Sequence, residues 1–324
     1  MRVLLAATSF IAACLIAASA FGQEFPYKPI RMVTELAAGT GGNIFLRRLL
    51  PDMSAALGQP VGLDNRPGAG GVVAAEAVMR AAPDGYTVLA ASQNALVMGR
   101  FLSKTNKVDV FRDFVPITQL WKATTLLVVG PSSPVKSIPE LLEYAKAETG
   151  KVSYGTSGFG TSHHFTGEAI QQLTGVRLVH VPYKGGVGSM QAAMTGEVDV
   201  AIGFGATALP FVRTGKVRLL ATVQGKPFGG MPDVPALADV ISGFEPPPSW
   251  LGVFGPAGLP TRVVARLRSG IIESLQAPGT RARSSEEGLE LVGNSPSEFR
   301  AQLRKQTELI GRIAKAIQIQ RTSH

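Results

Sequence analysis

Apolar side chains recur at every fourth position through Phe45, Leu49, Met53 and Leu57, and a glycine follows at 58. That spacing predicts an amphipathic helix over 43–57 with a left-handed cap at Gly58. Pro51 falls inside the pattern and is expected to bend or divide it, because proline lacks an amide proton and its ring crowds the preceding turn. Before this helix, 30–36 reads as a short strand. After it come a strand over 61–66, the turn Pro67-Gly68-Ala69-Gly70-Gly71, a helix over 72–82, the turn Pro83-Asp84-Gly85 and a strand over 86–92. Strands separated by single helices at such short spacing predict a parallel sheet with crossover helices.

The middle of the chain repeats the pattern. Apolar segments at 115–120 and 124–129 precede Ser137-Ile138-Pro139-Glu140, a helix start with a capping serine and with proline and an acid in the first turn. A strand-like run at 152–154 enters Gly155-Thr156-Ser157-Gly158-Phe159-Gly160-Thr161-Ser162. It leaves as a helix over 163–173, with Phe165, Ala169 and Leu173 on one face and Gly175 at its end. Strands at 178–181, 198–202 and 217–223 then alternate with helices at 188–194 and 206–213. The stretch 243–248 breaks the pattern, a late strand occupies 250–254, and amphipathic helices cover 262–275 and 297–317. The expected architecture is α/β, in two lobes whose closing segment returns to the first: 23–124 with 249–324 in one lobe, 125–248 in the other.

Residues 1–22 stand apart. Met1-Arg2 precedes an almost uncharged run that ends in Ala18-Ser19-Ala20, the form of a cleaved secretory signal peptide. Ile11-Ala12-Ala13-Cys14 resembles a lipidation box, but apolar residues 15–21 would then follow the lipid directly, so cleavage is the preferred reading. Cys14 is the one cysteine of the chain. The mature protein is therefore expected to be exported without disulfides and to be stable on its core alone. No later apolar run reaches the length of a membrane span, which makes a soluble periplasmic protein the expectation. The formal charge of +9 comes from scattered residues such as Arg47, Arg48, Lys104 and Lys216, denser toward the tail at Arg300, Lys305, Arg312, Lys315 and Arg321. Without a basic stripe interleaved with aromatics, nucleic acid is not an expected partner; such a surface mildly favours anions.

The candidate chemistry sits at two strand-to-helix junctions. The first is Leu36-Ala37-Ala38-Gly39-Thr40-Gly41-Gly42-Asn43; the second supplies Thr156, Ser157, Gly158, Gly160, Thr161 and Ser162. Small residues at the mouth of a helix bare its first N–H groups, which lack intrahelical partners and lie at the positive end of the helix dipole. The two junctions are expected to face each other across a cleft and grip one carboxylate. Ser92 and the 203–207 turn, with Phe204, are expected to sort the remainder of the ligand. Four or five charge-assisted hydrogen bonds contribute on the order of 6–15 kcal/mol, and micromolar binding needs roughly 8 kcal/mol.

Other chemistries fit less well. Ser157 close to His163 and His164 suggests a secreted hydrolase or transferase, but Phe159 stands where a nucleophile elbow needs its second glycine. The two histidines are expected to face solvent or to cap the helix. Adjacent histidines point to different sides of a helix, so no metal site is expected, nor any cofactor. Ile44 and Val73 replace the third glycine in the two glycine-rich runs, which removes a dinucleotide fingerprint. Lys184 reads as a surface side chain and Trp250 as core or hinge packing.

These stretches resemble the tripartite tricarboxylate transporter substrate-binding proteins, the TctC-like Bug family of periplasmic solute-binding proteins. The resemblance is carried in order by Lys28-Pro29-Ile30-Arg31, Leu57-Gly58-Gln59-Pro60, Asn65-Arg66-Pro67-Gly68-Ala69-Gly70-Gly71, Ala82-Pro83-Asp84-Gly85-Tyr86-Thr87 and the 154–162 stretch. Val181-Pro182-Tyr183-Lys184-Gly185, Pro232-Asp233-Val234-Pro235 and Pro256-Ala257-Gly258-Leu259-Pro260 continue it. It implies a two-lobed periplasmic binding fold of type II kind, each lobe a mostly parallel sheet flanked by helices, with a hinge and a ligand cleft between the lobes. It further implies a monomeric receptor, not an enzyme, whose two glycine-rich loops hold the ligand carboxylate. The implied ligands are di- and tricarboxylates, acidic amino acids or aromatic carboxylates such as nicotinate. Delivery would be to a membrane permease of large and small subunits, and a ligand-presenting sensory role is the alternative within the same fold. Three departures from the family pattern bear on the ligand: Glu35-Leu36 before the first loop, Asn43 in place of an acid, and Gly203-Phe204-Gly205 where a polar pair is usual.

Overall fold

The structure, a computed structural model, describes residues 24–224 and 233–316. The expected signal peptide with Cys14, Pro232 of the 232–235 motif, the last residue of the 297–317 helix and Arg321 lie outside these residues.

Two sheets organise the chain. Strands β1 (Ile30–Thr34), β2 (Val61–Asn65), β3 (Thr87–Ser92), β4 (Phe114–Ala123), β10 (Trp250–Pro256) and β11 (Leu289–Leu291) form the first, in the order β11-β4-β10-β3-β1-β2. Strands β5 (Thr125–Val129), β6 (Ser153–Thr156), β7 (Val179–Pro182), β8 (Val200–Phe204) and β9 (Arg218–Thr222) form the second, in the order β7-β6-β8-β5-β9. The architecture is the expected pair of α/β lobes. The sheets themselves are mixed: β1 runs parallel to β2 and β3, and β6 to β7 and β8, whereas β10 is antiparallel to β3 and β4, and β5 to β8 and β9. The antiparallel strands are those next to the crossings between sheets. Thr124 alone separates β4 from β5, so the chain passes from the first sheet to the second there.

Helix α1 (Gly41–Leu57) runs unbroken through Pro51 and ends at Gly58 in the left-handed region, φ 72°. The expected division does not occur, because the buried face of Phe45, Leu46, Leu49, Leu50, Met53 and Leu57 is held on both sides of the proline. Ser137 caps the helix Ile138–Ala147 by accepting from the Glu140 amide at 3.3 Å, and Glu140 reaches back to the Lys136 amide at 2.9 Å. Sequence pattern missed the turn of π geometry at Asn94–Met98, the helix Pro278–Glu286 and β11. All three are short or weakly periodic.

The C-terminal helix Pro296–Ala316 packs on β4 in the first lobe and on the helix Ser162–Thr174 in the second. Its Phe299, Leu303, Ile310 and Ile313 belong to one continuous apolar cluster with Val33, Leu89 and Trp250 from one side and Tyr154, Phe165 and Ile170 from the other. The lobes thus share a core behind the cleft.

Candidate functional site

The ends of β1, β3 and β8 meet at one place, a cavity of about 460 Å³ lined from both lobes. Ligand sites at the carboxyl ends of parallel strands are the general rule for open α/β sheets. The first lobe contributes Leu36, Thr40, Gly41, Gly42 and Ile44 after β1, Ser92, Gln93 and Asn94 after β3, and Trp121 and Leu251 from the crossing strands. The second lobe contributes Phe204, Gly205, Ala206 and Thr207.

The start of α1 is built to stay open. Thr40 occupies the N-cap position with extended geometry, yet its hydroxyl turns back to the Ala37 carbonyl at 2.8 Å and caps nothing. The first helical bond is Ile44 N–H to the Thr40 carbonyl at 2.9 Å, so the amides of Gly41, Gly42 and Asn43 have no intrahelical acceptor. Gly42 lets Leu36 fold over the helix start: an added Cβ would lie 2.7 Å from Leu36 Cδ1 and push that side chain aside. The junction is pinned from behind. Asn65 donates to the Leu36 carbonyl at 2.7 Å, and Arg47 bridges Asn65 and the buried Asn43 at 3.0 and 3.1 Å. Asn43 itself does not line the cavity. Ala37, Ala38 and Gly39 form the exposed loop in front of it.

Opposite lies a second open helix start. The helix Gly205–Arg213 begins at Phe204, whose side chain cannot cap. Gly205 donates to the Thr124 carbonyl at 2.8 Å, which leaves the Ala206 and Thr207 amides as the first free ones. Two helix N-termini, one from each lobe, therefore border the same cavity.

The 155–162 junction lies elsewhere. None of its residues lines the cavity, and several of its polar groups bond within the second lobe, although the buried Ser162 hydroxyl has no partner among the described residues. Thr156 is buried, with Oγ1 2.7 Å from His180 Nε2 and accepting from the Gly158 amide at 3.2 Å. Gly160 donates to His164 Nδ1 at 3.1 Å, and Thr161 caps its helix by accepting from the His164 amide at 3.4 Å. Ser162 is buried. Gly160 sits at φ +73°, where an added Cβ would lie 2.3 Å from Leu102 Cδ1, so this loop presses against the first lobe.

His163 and His164 are buried, contrary to the expectation that they face solvent. Their rings are used as flat packing surfaces: His164 stacks on His180 at 4.1 Å, and His163 meets the edge of Phe204 at 4.3 Å. Burial pushes the His163 imidazole down to about 3, and burial together with the neighbouring His164 pushes His180 down to about 4. Ser157 Oγ lies 2.7 Å from His163 Nδ1, the one feature that suits a hydrolase. His163 Nε2 has no partner among the described residues, so no acid orients the ring as a catalytic base requires. No group of three metal-ligating side chains occurs among the described residues.

Glu35 places its carboxylate behind Ser92, accepting from that residue's amide at 2.8 Å. Its other oxygen is buried without a partner, and burial raises its pKa. Trp121 is likewise buried with an unpartnered indole N–H, and it lines the cavity. Nothing in its local sequence marks it, because a strand residue is brought to the cleft by sheet order alone. Lys184 is exposed and away from the cavity, and Trp250 is buried with its indole donating to Gln306 at 2.8 Å.

A profile of the family described as tripartite tricarboxylate transporter family receptor, TctC, matches residues 45–319. The chain belongs to this family. Among its relatives, a UPF0065 protein of Bordetella bronchiseptica is 36% identical over 93% of this chain and 90% of its own length. Protein BugT of Bordetella pertussis is 30% identical over 90% of each. The fold of the TctC receptor is also that of solved structures. Rpa4515 of R. palustris, described with adipate, superposes with TM-score 0.78 at 27% identity, covering 90% of this chain and 98% of the other. MatC of Rhodopseudomonas palustris, described with bound malate, gives 0.75 at 26% identity over 90% and 100%. The TctC receptors are periplasmic solute-binding proteins and not enzymes. No helix among the described residues is long and apolar enough to cross a membrane.

Proposed function

We propose that this TctC receptor captures a small carboxylate in the cleft between its lobes, between the starts of α1 and of the Gly205 helix, and delivers it to a tripartite tricarboxylate-type permease. The observation that carries this reading is the pair of uncapped helix N-termini bordering one cavity from opposite lobes. Each presents free amides at the positive end of its dipole, the arrangement that favours an anion. The relatives described with adipate and malate support a carboxylate as that anion.

In this reading the first junction, Leu36 to Asn43 with Ser92, grips the carboxylate. The 204–207 turn closes on it from the second lobe, which extends over 125–248 and hinges at Thr124 and Ser249. The 156–162 loop acts from behind: Ser157 fixes His163, and His163 packs against the Phe204 ring, while Thr156, Gly158, Gly160, Thr161 and Ser162 shape the loop. The protein works as a monomer after removal of residues 1–22.

Isothermal titration with small carboxylates and with amines of matching carbon skeleton tests the reading. Carboxylates are expected to bind, and one supplied at 100 times its dissociation constant adds about 2.7 kcal/mol to stability. Binding of the amines alone, or turnover of an ester that disappears in Ser157→Ala, refutes it.

A further inference from the structure

We propose that the cavity selects monocarboxylates with a hydrocarbon or aromatic body over multiply charged acids. This rests on the reading that the two helix starts hold a carboxylate.

The donors suffice for one carboxylate. Gly41 and Gly42 offer amides from α1, and Ala206 and Thr207 from the Gly205 helix, since the Gly205 amide is already bonded to Thr124. Four N–H groups match the roughly four lone-pair sites of a single carboxylate. Away from the helix starts the walls are Leu36, Ile44, Trp121, Phe204, Leu251 and Leu289.

A second negative group finds no counter-charge. The lining includes no lysine, arginine or histidine, and its one charged side chain is the Glu287 carboxylate. Arg48 is committed to that carboxylate through two hydrogen bonds of 2.6 Å. A carboxylate buried there without a cation bears its desolvation cost uncompensated.

Part of the polar lining is also occupied. Gln93 Oε1 accepts from the Trp250 amide at 2.7 Å, and Gln93 Nε2 donates to Asn94 Oδ1 at 3.3 Å. The Ser92 amide is bonded to Glu35. Beside the side chains of Asn94 and Thr207, the lining holds the buried, unpartnered indole N–H of Trp121. The indole is a neutral donor, suited to one ether, carbonyl or ring nitrogen on the ligand body.

Titration calorimetry of the mature protein with five probes tests this: hexanoate, phenylacetate, 4-methoxyphenylacetate, adipate and malate. The three monocarboxylates are expected to bind at least tenfold more tightly than the two diacids. Trp121→Phe is expected to weaken 4-methoxyphenylacetate several-fold and to leave phenylacetate unchanged. Adipate or malate binding as tightly as the monocarboxylates overturns the inference and leaves the receptor reading standing. Equal losses for both aromatic probes in Trp121→Phe overturn the role given to the indole. Failure of all five to bind removes the carboxylate reading itself, and the inference with it.

Discussion

His163 and His180 enter the fold neutral, and the molecule carries the consequence in its pH dependence. Burial depresses the two imidazoles to about 3 and about 4, below the value of about 6.5 they have in an unfolded chain. Between those limits the unfolded chain binds protons that the folded one refuses, so stability is complete above pH 6.5 and declines as pH falls. The fully buried His163 contributes a slope of up to about 1.4 kcal/mol per pH unit within its window, and the partly exposed His180 less. Urea denaturation at pH 7.5 and 5 should show the loss, and His163→Gln should make it shallower. A curve equally steep in the variant contradicts the burial of His163 as the cause. No sequence signal marks His163 and His164, the pair expected to face solvent at a helix start, as buried. Their burial depends on His180 and Phe204, which other strands of the second sheet bring alongside.

At the scale of elements, the strand-to-helix junction was legible and its partner was not. The uncapped start of α1 is written in Gly39-Thr40-Gly41-Gly42, and the structure places it on the cavity. The 155–162 junction has the same composition but does not line the cavity, and Thr156, His164 and Thr161 accept from three of its amides, those of Gly158, Gly160 and His164. Gly203-Phe204-Gly205-Ala206-Thr207 carries the same pattern of small residues and occupies the opposing position. Strand order decides between the two, and order within a sheet is not a local property. A substitution separates the helix end's two roles. Thr40→Asp supplies a capping carboxylate to the free amides of α1, which should raise stability by about 1 kcal/mol. The same carboxylate occupies the ligand's donors, so carboxylate affinity should fall at least tenfold. Thermal melts and titration calorimetry read the two effects, and a stabilised variant with unchanged affinity places the ligand elsewhere.

For the whole molecule, two lobes were readable from alternating strand and helix patterns, because burial of a parallel unit demands that alternation. The shared core behind the cleft was not, since the amphipathic 297–317 pattern shows that one face is buried without showing against what. Leu303 and Ile310 lie in the cluster that joins both lobes. Ile310→Ala should cost about 2–5 kcal/mol, the range for a large-to-small change in a core. It should also lower carboxylate affinity by loosening the orientation of the second lobe, and a melt that shifts with affinity intact would assign the C-terminal helix to stability alone.

The central claim is that free amides from two helix starts, one per lobe, converge on a single carboxylate. An amide 1H–15N titration with the tightest-binding carboxylate of the series tests it most directly. The expected result is that the Gly41, Gly42, Ala206 and Thr207 resonances move together along one binding curve. If those four stay still while the Gly158 to Ser162 amides move, or if only one lobe responds, the claim is wrong.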